Sequence, residues 1–349
     1  MSAVRVGVRQ IGGGAPCFVA AEAGLNHNGD LALAHRLIEA AADAGADGVK
    51  FQNYRTEDFL QDTSLMYEYD SGGETVVESQ FQMFKRYELP ASALAELCAH
   101  CAERDVTFFS TPTSEEGVEE LVRAGATLLK NGSDYLLNLD LVRAMARSGL
   151  PTVLSTGMAT LDEVDTAVGA FRDAGGSELV LLHCTSAYPT PPDEVHLRKL
   201  ATLRARYGCP VGLSDHTDGI VAAVASAALG SAFLEKHFTL DRSLAGPDHR
   251  FSADPAELRA LVAAVRLAER ALGDAEVGPT AAELVARSGY RLSCVAAQAL
   301  PAGHRLERSD VAFRRPGDGI APPEADRLAG RVLVHAVAAG HVFGGEDLV

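Results

Sequence analysis

Along residues 17–272, short apolar runs alternate with amphipathic helical segments. The runs are CFVAAEAG (17–24), DGVKFQ (47–52), VTFFST (106–111), TLLKNGS (127–133), PTVLSTG (151–157), LVLLHCTS (179–186), PVGLSDH (210–216) and FLEKHFT (233–239). Between them lie stretches such as LALAHRLIEAAADAG, SEEGVEELVRAG and TLDEVDTAVGAFRDAG, several with acidic first turns and closing glycines, as helix ends prefer. Strand-length runs separated by helix-length segments imply βαβ crossovers and a parallel sheet. Eight such units predict an α/β fold of the (β/α)8 TIM barrel type rather than an open doubly wound sheet.

Two segments depart from the repeat. Residues 55–88 insert polar, aromatic-bearing sequence after the second run, where a βα connection lies over the active-site face, so a lid or a substrate-contacting loop is expected. After residue 272 the pattern stops. GDAEVGPTAAELVARSG reads as a linker (273–289), and residues 290–349 read as a small β-rich module whose two AxxAGH turns suggest internal repetition. The expected domains are therefore 1–272, a linker, and 290–349.

Composition narrows the function classes. At 349 residues the chain is long enough for a large core, and its formal charge of −16 disfavours nucleic acid and anionic membranes as partners. No apolar stretch approaches the roughly 20 residues needed to span a bilayer, and MSAVRVGVRQ lacks a signal-peptide apolar region, so a cytoplasmic location is expected. The six cysteines are too sparse for a disulfide framework; Cys98 and Cys101 form a CxxC on a helical pattern and read as ordinary helix residues.

In barrels of this kind the catalytic groups sit at the C-terminal strand ends. Reading those ends in order gives Glu22, with Asn26 and His27; Lys50 with Gln52; Ser110 with Thr111; Lys130 with Ser133; Ser155 with Thr156; His183 with Thr185; Ser214 with Asp215 and His216; and Lys236 with His237. His216 and His237 close adjacent runs, so their imidazoles can share a divalent metal, and neutral imidazoles suit manganese, cobalt, iron or zinc better than magnesium. Lys50, Lys130, Ser155 and Ser214 would suit a phosphate, ammonium groups supplying charge and hydroxyls directed hydrogen bonds. The competing expectation is that each lysine simply pairs with a rim carboxylate such as Glu22. Glu22 could act as acid or base, Asp248 could hold a polyhydroxyl substrate, and His183 is expected to point out of the barrel wall.

These residues, taken with the motifs AEAGLNHNGD, AGADGVKFQ, ESQFQMFK, LSTGMAT, LLHCTSAYPTP, GLSDHT, EKHFTLDRSLAGPDH and RRPGDGI, make the chain resemble the sialic acid synthase family, the N-acetylneuraminate or nonulosonate synthases, from about residue 17 to the end. The tail resembles that family's antifreeze-like (SAF) domain. The resemblance implies condensation of phosphoenolpyruvate with the open-chain aldehyde of an amino sugar, giving a 2-keto-3-deoxy sugar acid and phosphate. A divalent ion on His216 and His237, manganese first with magnesium or cobalt as alternatives, would polarise the aldehyde. Glu22, Lys50, Gln52, Thr111, Lys130, Ser133, Ser155, Thr185, Ser186, Tyr188, Ser214 and Asp248 would meet the substrates. Arg315 would reach from the tail into another protomer's barrel in a domain-swapped homodimer.

One motif departs from the family pattern. Lys130-Asn131-Gly132-Ser133-Asp134-Tyr135 stands where K-I-G-S-G-E or K-I-G-S-G-D is common, and Ser186 where many members carry Asn. Tyr135 thus replaces the usual acidic residue and Asp134 comes one position early, where strand alternation is expected to turn it to the opposite face, which puts the usual N-acetylmannosamine acceptor in question. Two other functions fit the barrel: a metal-dependent aldolase or isomerase on a phosphorylated sugar, and a non-catalytic carbohydrate-binding protein.

Overall fold

The computed structural model describes residues 2–349 and divides at Gly273/Asp274 into two compact units. In the first, eight parallel strands close into a barrel: β1 (Phe18–Glu22), β2 (Gly48–Asn53), β3 (Thr107–Pro112), β4 (Leu129–Asn131), β5 (Thr152–Ser155), β6 (Leu179–Cys184), β7 (Val211–Asp215) and β8 (Phe233–His237). Six lie inside the apolar runs of the sequence, and β2 and β3 run one residue past theirs, to Asn53 and Pro112.

Strand alternation sorts the side chains into an outer and an inner set. Val19, Ala21, Val49 and Leu234 face outward and pack with helix residues such as Leu37, Leu97 and Leu261 in the main core. Phe18, Ala20, Phe109, Leu128, Val153, Val180, Leu182 and Phe233 face inward and fill the lower half of the barrel, where the rings of Phe18 and Phe233 stack at 5.0 Å. Continuing each inner series upward by two residues reaches Glu22, Lys130, Ser155, Cys184 and Glu235. The barrel is thus apolar at its base and polar at its mouth.

An N-terminal hairpin, Ala3–Val6 paired antiparallel with Arg9–Gly12, joins this lower layer through Val4, Val6 and Ile11. Its two four-residue strands are too short to stand out as apolar runs in the sequence, although Val4, Val6 and Ile11 are all apolar. Ile11 is fully buried. Ile11→Ala is expected to destabilise the barrel by about 2–5 kcal/mol in urea unfolding, the usual cost of truncating a large buried side chain.

Residues 55–88 contain a short helix (Thr56–Phe59), a hairpin (Met66–Ser71 with Glu74–Ser79) and a second helix (Gln80–Tyr87). Tyr54, Phe59 and Phe84 pack edge to face at 5.1–5.6 Å. The hairpin is tied to the loop after β8 by Arg250–Asp70 at 3.1 Å and by Gly246 N–H donating to Ser71 Oγ at 3.0 Å.

In the second unit, Ser293–Ala296 pairs antiparallel with Val311–Arg314 around a core that includes Leu300, Leu306, Leu333 and Phe343. The segment read as a linker contains a helix, Ala281–Tyr290, opened by a Thr280/Glu283 capping box and burying none of its residues. Cys98 and Cys101 lie on the helix Ala91–Glu103. Among the described residues no helix is long and apolar enough to cross a membrane.

Candidate active site

The barrel mouth holds a cavity of about 660 Å³ with walls from every barrel strand or its following loop and from the inserted segment. A groove of about 1370 Å³ on the outer helices, lined by Val195, Leu197, Val221 and Leu229, is larger, but none of the buried ion pairs reaches it.

The register of β1 places Glu22 opposite both Lys50 and His237. Lys50 Nζ lies 2.7 Å from Glu22 Oε1 and donates to Thr111 Oγ1 at 3.2 Å, while Gln52 Nε2 donates to Glu22 Oε1 at 3.2 Å. Across the cavity, Lys130 Nζ donates to Glu235 Oε1 at 2.5 Å, and Ser214 Oγ donates to the same oxygen at 3.0 Å. Ser133 and Ser155 hydroxyls lie 2.8 Å apart. Both lysines therefore have carboxylate partners, as the competing expectation had it, and neither is a spare charge. The two carboxyls differ: burial raises Glu22 despite Lys50, whereas Lys130 and Lys50 overcome the burial of Glu235 and hold it low.

His216 and His237 stand side by side with ring centroids 5.5 Å apart, and the Tyr188 ring is 4.2 Å from His216. His216 Nδ1–H donates to the Thr185 carbonyl at 2.9 Å; against its burial, the neighbouring Cys184 sulfur and that carbonyl raise this imidazole, and Nε2 offers a lone pair in the neutral form. Burial, reinforced by the charges of His216 and Lys50, depresses His237 well below the usual imidazole range, so it is neutral. Asp248 Oδ2 lies 3.6 Å from His237 Nδ1, and burial raises that carboxyl to about 6. Gly24, at φ +50, lets the chain pass this cluster; a Cβ there would sit 3.0 Å from Asp248 Oδ2.

Three buried polar atoms around the cavity, Glu22 Oε2, Glu235 Oε2 and His237 Nδ1, have no hydrogen-bond partner among the described residues. Orphaned buried groups are rare in native proteins and mark places where an ion, water or ligand completes the bonding. The side-by-side imidazoles of His216 and His237, with the Asp248 carboxyl beside His237, are donor types that suit a divalent ion once His216 has lost its proton.

Most residues singled out in the sequence meet here: Glu22, Lys50, Gln52, Thr111, Lys130, Ser133, Ser155, Ser186, Tyr188, Ser214, His216 and His237 all line the cavity, with Asp248 beside it. Thr185 does not present its hydroxyl, which donates instead to the Glu194 carbonyl. Lys236, read as a rim group, points outward and is bound by Asp215 at 2.9 Å and the Thr217 carbonyl at 2.6 Å. His183 also faces out, toward the Val195 carbonyl. Arg315 belongs to the second unit, where its guanidinium lies over the Tyr290 ring at 5.1 Å.

Glu235 was missed, although alternation required it: if His237 faces inward, so does the residue two before it. Asp134 and Tyr135 also line the mouth. The expectation that alternation turns Asp134 away fails because β4 ends at Asn131 and Ser133–Tyr135 forms a 3-10 turn. Asp134 folds back over Gly132, where a Cβ would lie 2.4 Å from Asp134 Oδ1.

Residues 37–277 match the NeuB family and residues 293–349 the SAF domain. The chain is 37% identical over 338 residues to the N,N'-diacetyllegionaminic acid synthase of Legionella pneumophila, covering 96% of this chain and 95% of that one. It is 33% identical over 335 residues to the human N-acetylneuraminate-9-phosphate synthase, covering 94% and 92%. A crystal structure of N-acetylneuraminic acid synthetase from Leptospira borgpetersenii superposes with a TM-score of 0.74 at 35% identity, covering 81% of this chain and 94% of that one.

Proposed function

The chain belongs to the NeuB family, and from that premise we propose that it condenses phosphoenolpyruvate with the open-chain aldehyde of an amino sugar, releasing phosphate and a 2-keto-3-deoxy sugar acid. The supporting observation is the convergence of three orphaned buried polar atoms, two Lys–Glu pairs and two imidazoles on one cavity.

In this reading Lys50, Lys130, Ser155 and Ser214 hold the carboxylate and phosphate of phosphoenolpyruvate. Because each lysine already has a carboxylate partner, the triply charged substrate needs further positive charge. A protonated Glu22, favoured by burial, frees Lys50 for the substrate. A divalent ion held by His216 and His237, manganese by preference, supplies Lewis-acid polarisation of the aldehyde when bound. Tyr188, Phe59 and Phe84 wall off the mouth. The terminal carbon of the enolpyruvate attacks the aldehyde carbon, and the aldehyde oxygen gains a proton. Water adds to the carbon bearing the phosphate, and the C–O bond breaks to expel it. Glu22 and Asp248, both raised by burial, are the groups placed to exchange those protons.

Asp134 and Tyr135 at the mouth are assigned to the sugar. Asp134→Asn is expected to raise the KM of the acceptor sugar roughly 3- to 10-fold, corresponding to the loss of one net hydrogen bond, about 0.5–1.5 kcal/mol, and to leave that of phosphoenolpyruvate unchanged. From the resemblance we also infer a homodimer in which Arg315 serves the sugar. The reading as a whole is tested by incubating the protein with phosphoenolpyruvate, Mn²⁺ and a panel of aldoses, detecting products by mass. A new acid heavier than the aldose by one pyruvate unit supports it; phosphorylated-sugar cleavage or isomerisation without phosphoenolpyruvate consumption favours an aldolase or isomerase instead.

A further inference from the structure

The tail unit contains two copies of one motif, 37 positions apart: Gln298-Ala-Leu-Pro-Ala-Gly-His304 with Asp310, and His335-Ala-Val-Ala-Ala-Gly-His341 with Asp347. The copies pair across a pseudo-two-fold relation. Leu300 and Val337 exchange both backbone hydrogen bonds at 2.9 Å, and the turns repeat as His304 N–H to Pro301 O and His341 N–H to Ala338 O, each 3.2 Å. Each aspartate accepts from a backbone N–H three residues earlier, Glu307 to Asp310 Oδ2 at 2.9 Å and Gly344 to Asp347 Oδ2 at 2.7 Å.

The copies part at their first residue. In the first, Asp310 is satisfied in the ordinary way: His304 Nε2–H donates to Oδ2 at 2.7 Å and Gln298 Nε2 donates to Oδ1 at 3.3 Å. In the second, the amide is replaced by a second imidazole. His335 Nε2 is 2.9 Å from Asp347 Oδ1 and His341 Nε2 is 3.0 Å from Oδ2. Yet His341 Nε2, a buried atom, makes no aligned hydrogen bond to any described residue. The three side chains bring one donor atom apiece within 4.8 Å of one another. Asp347 is buried and anchored by Gly344, whereas the His335 side chain is 51% exposed, so the cluster is rigid on one side and open to water on the other.

We propose that His335, His341 and Asp347 bind a divalent transition metal of the zinc class, with water in the remaining positions, and that the ion clips the C-terminal turn to the second AGH turn. Two imidazoles and one carboxylate are a donor set for Zn²⁺ or Co²⁺ rather than for Mg²⁺ or Ca²⁺, which take oxygen. The first copy shows how the chain builds the purely hydrogen-bonded version. It also acts as an internal control, since a glutamine in place of the first imidazole removes a strong ligand without removing the hydrogen-bond donor.

The test uses the full chain carrying His216→Ala and His237→Ala, so that any ion bound in the barrel mouth does not contribute. Zn²⁺ is titrated calorimetrically and Co²⁺ by its visible absorption. The expected result is one bound equivalent, lost when His335→Gln is added and likewise lost with His335→Ala, while metal-free circular dichroism and thermal unfolding stay the same. Absence of binding before the His335 change, or binding that survives both His335 variants, would overturn the site.

Discussion

Alanine at His216 or at His237 is expected to lower kcat/KM by roughly 10³-fold or more and to abolish the response of turnover to added Mn²⁺, with the barrel still folded. The magnitude follows from losing a Lewis acid worth several kcal/mol of transition-state stabilisation, at about 1.4 kcal/mol per tenfold. The fold should survive because both side chains sit at the polar mouth, away from the apolar base formed by Phe18, Phe109 and Phe233. The two variants should resemble each other, since a two-histidine anchor fails when either member is lost. Activity close to wild type in both would remove the metal from the mechanism, leaving the imidazoles as hydrogen-bonding groups.

Lys130→Ala is expected to act on both stability and binding, and the two effects can be separated. Lys130 and Glu235 form a buried pair at 2.5 Å, so removing only the lysine strands a buried carboxylate and should cost about 3–5 kcal/mol of stability. Adding Glu235→Gln, which cannot carry the charge, should recover most of that loss. The phosphoenolpyruvate KM should rise about 10- to 100-fold in the single variant and remain high in the double variant, because hydrogen bonds to charged groups are worth about 1.5–3 kcal/mol. A double variant that regained both stability and normal KM would reduce Lys130 to a structural counter-ion of Glu235.

The barrel was legible in the chain because a parallel strand buried on both faces must be apolar along its length, and eight such runs have few other ways to close. The site was legible as far as each run ended in a polar residue. Local pattern failed where side-chain direction mattered. Lys236 and Asp215 end their runs but face the outer wall, where they neutralise each other. Glu235, one position further in, faces the cavity. Asp134 could be placed only once β4 was seen to end early in a 3-10 turn. The N-terminal hairpin was too short to register as a periodic element, and its role depends on meeting Phe18 and Phe233 from the far side of the barrel. In the tail, the AGH repetition was visible, but not that it brings His335, His341 and Asp347 together, which only pairing of the two copies achieves.

The most direct measurement follows the oxygen that bridges carbon and phosphorus in phosphoenolpyruvate. With that atom labelled as ¹⁸O, and with an accepted aldose and Mn²⁺ present, the label should leave entirely in inorganic phosphate, because water attacks carbon and the C–O bond breaks. Label retained in the sugar acid, or phosphate released equally well without an aldose, would contradict a condensation carried out between the two imidazoles and the paired lysines.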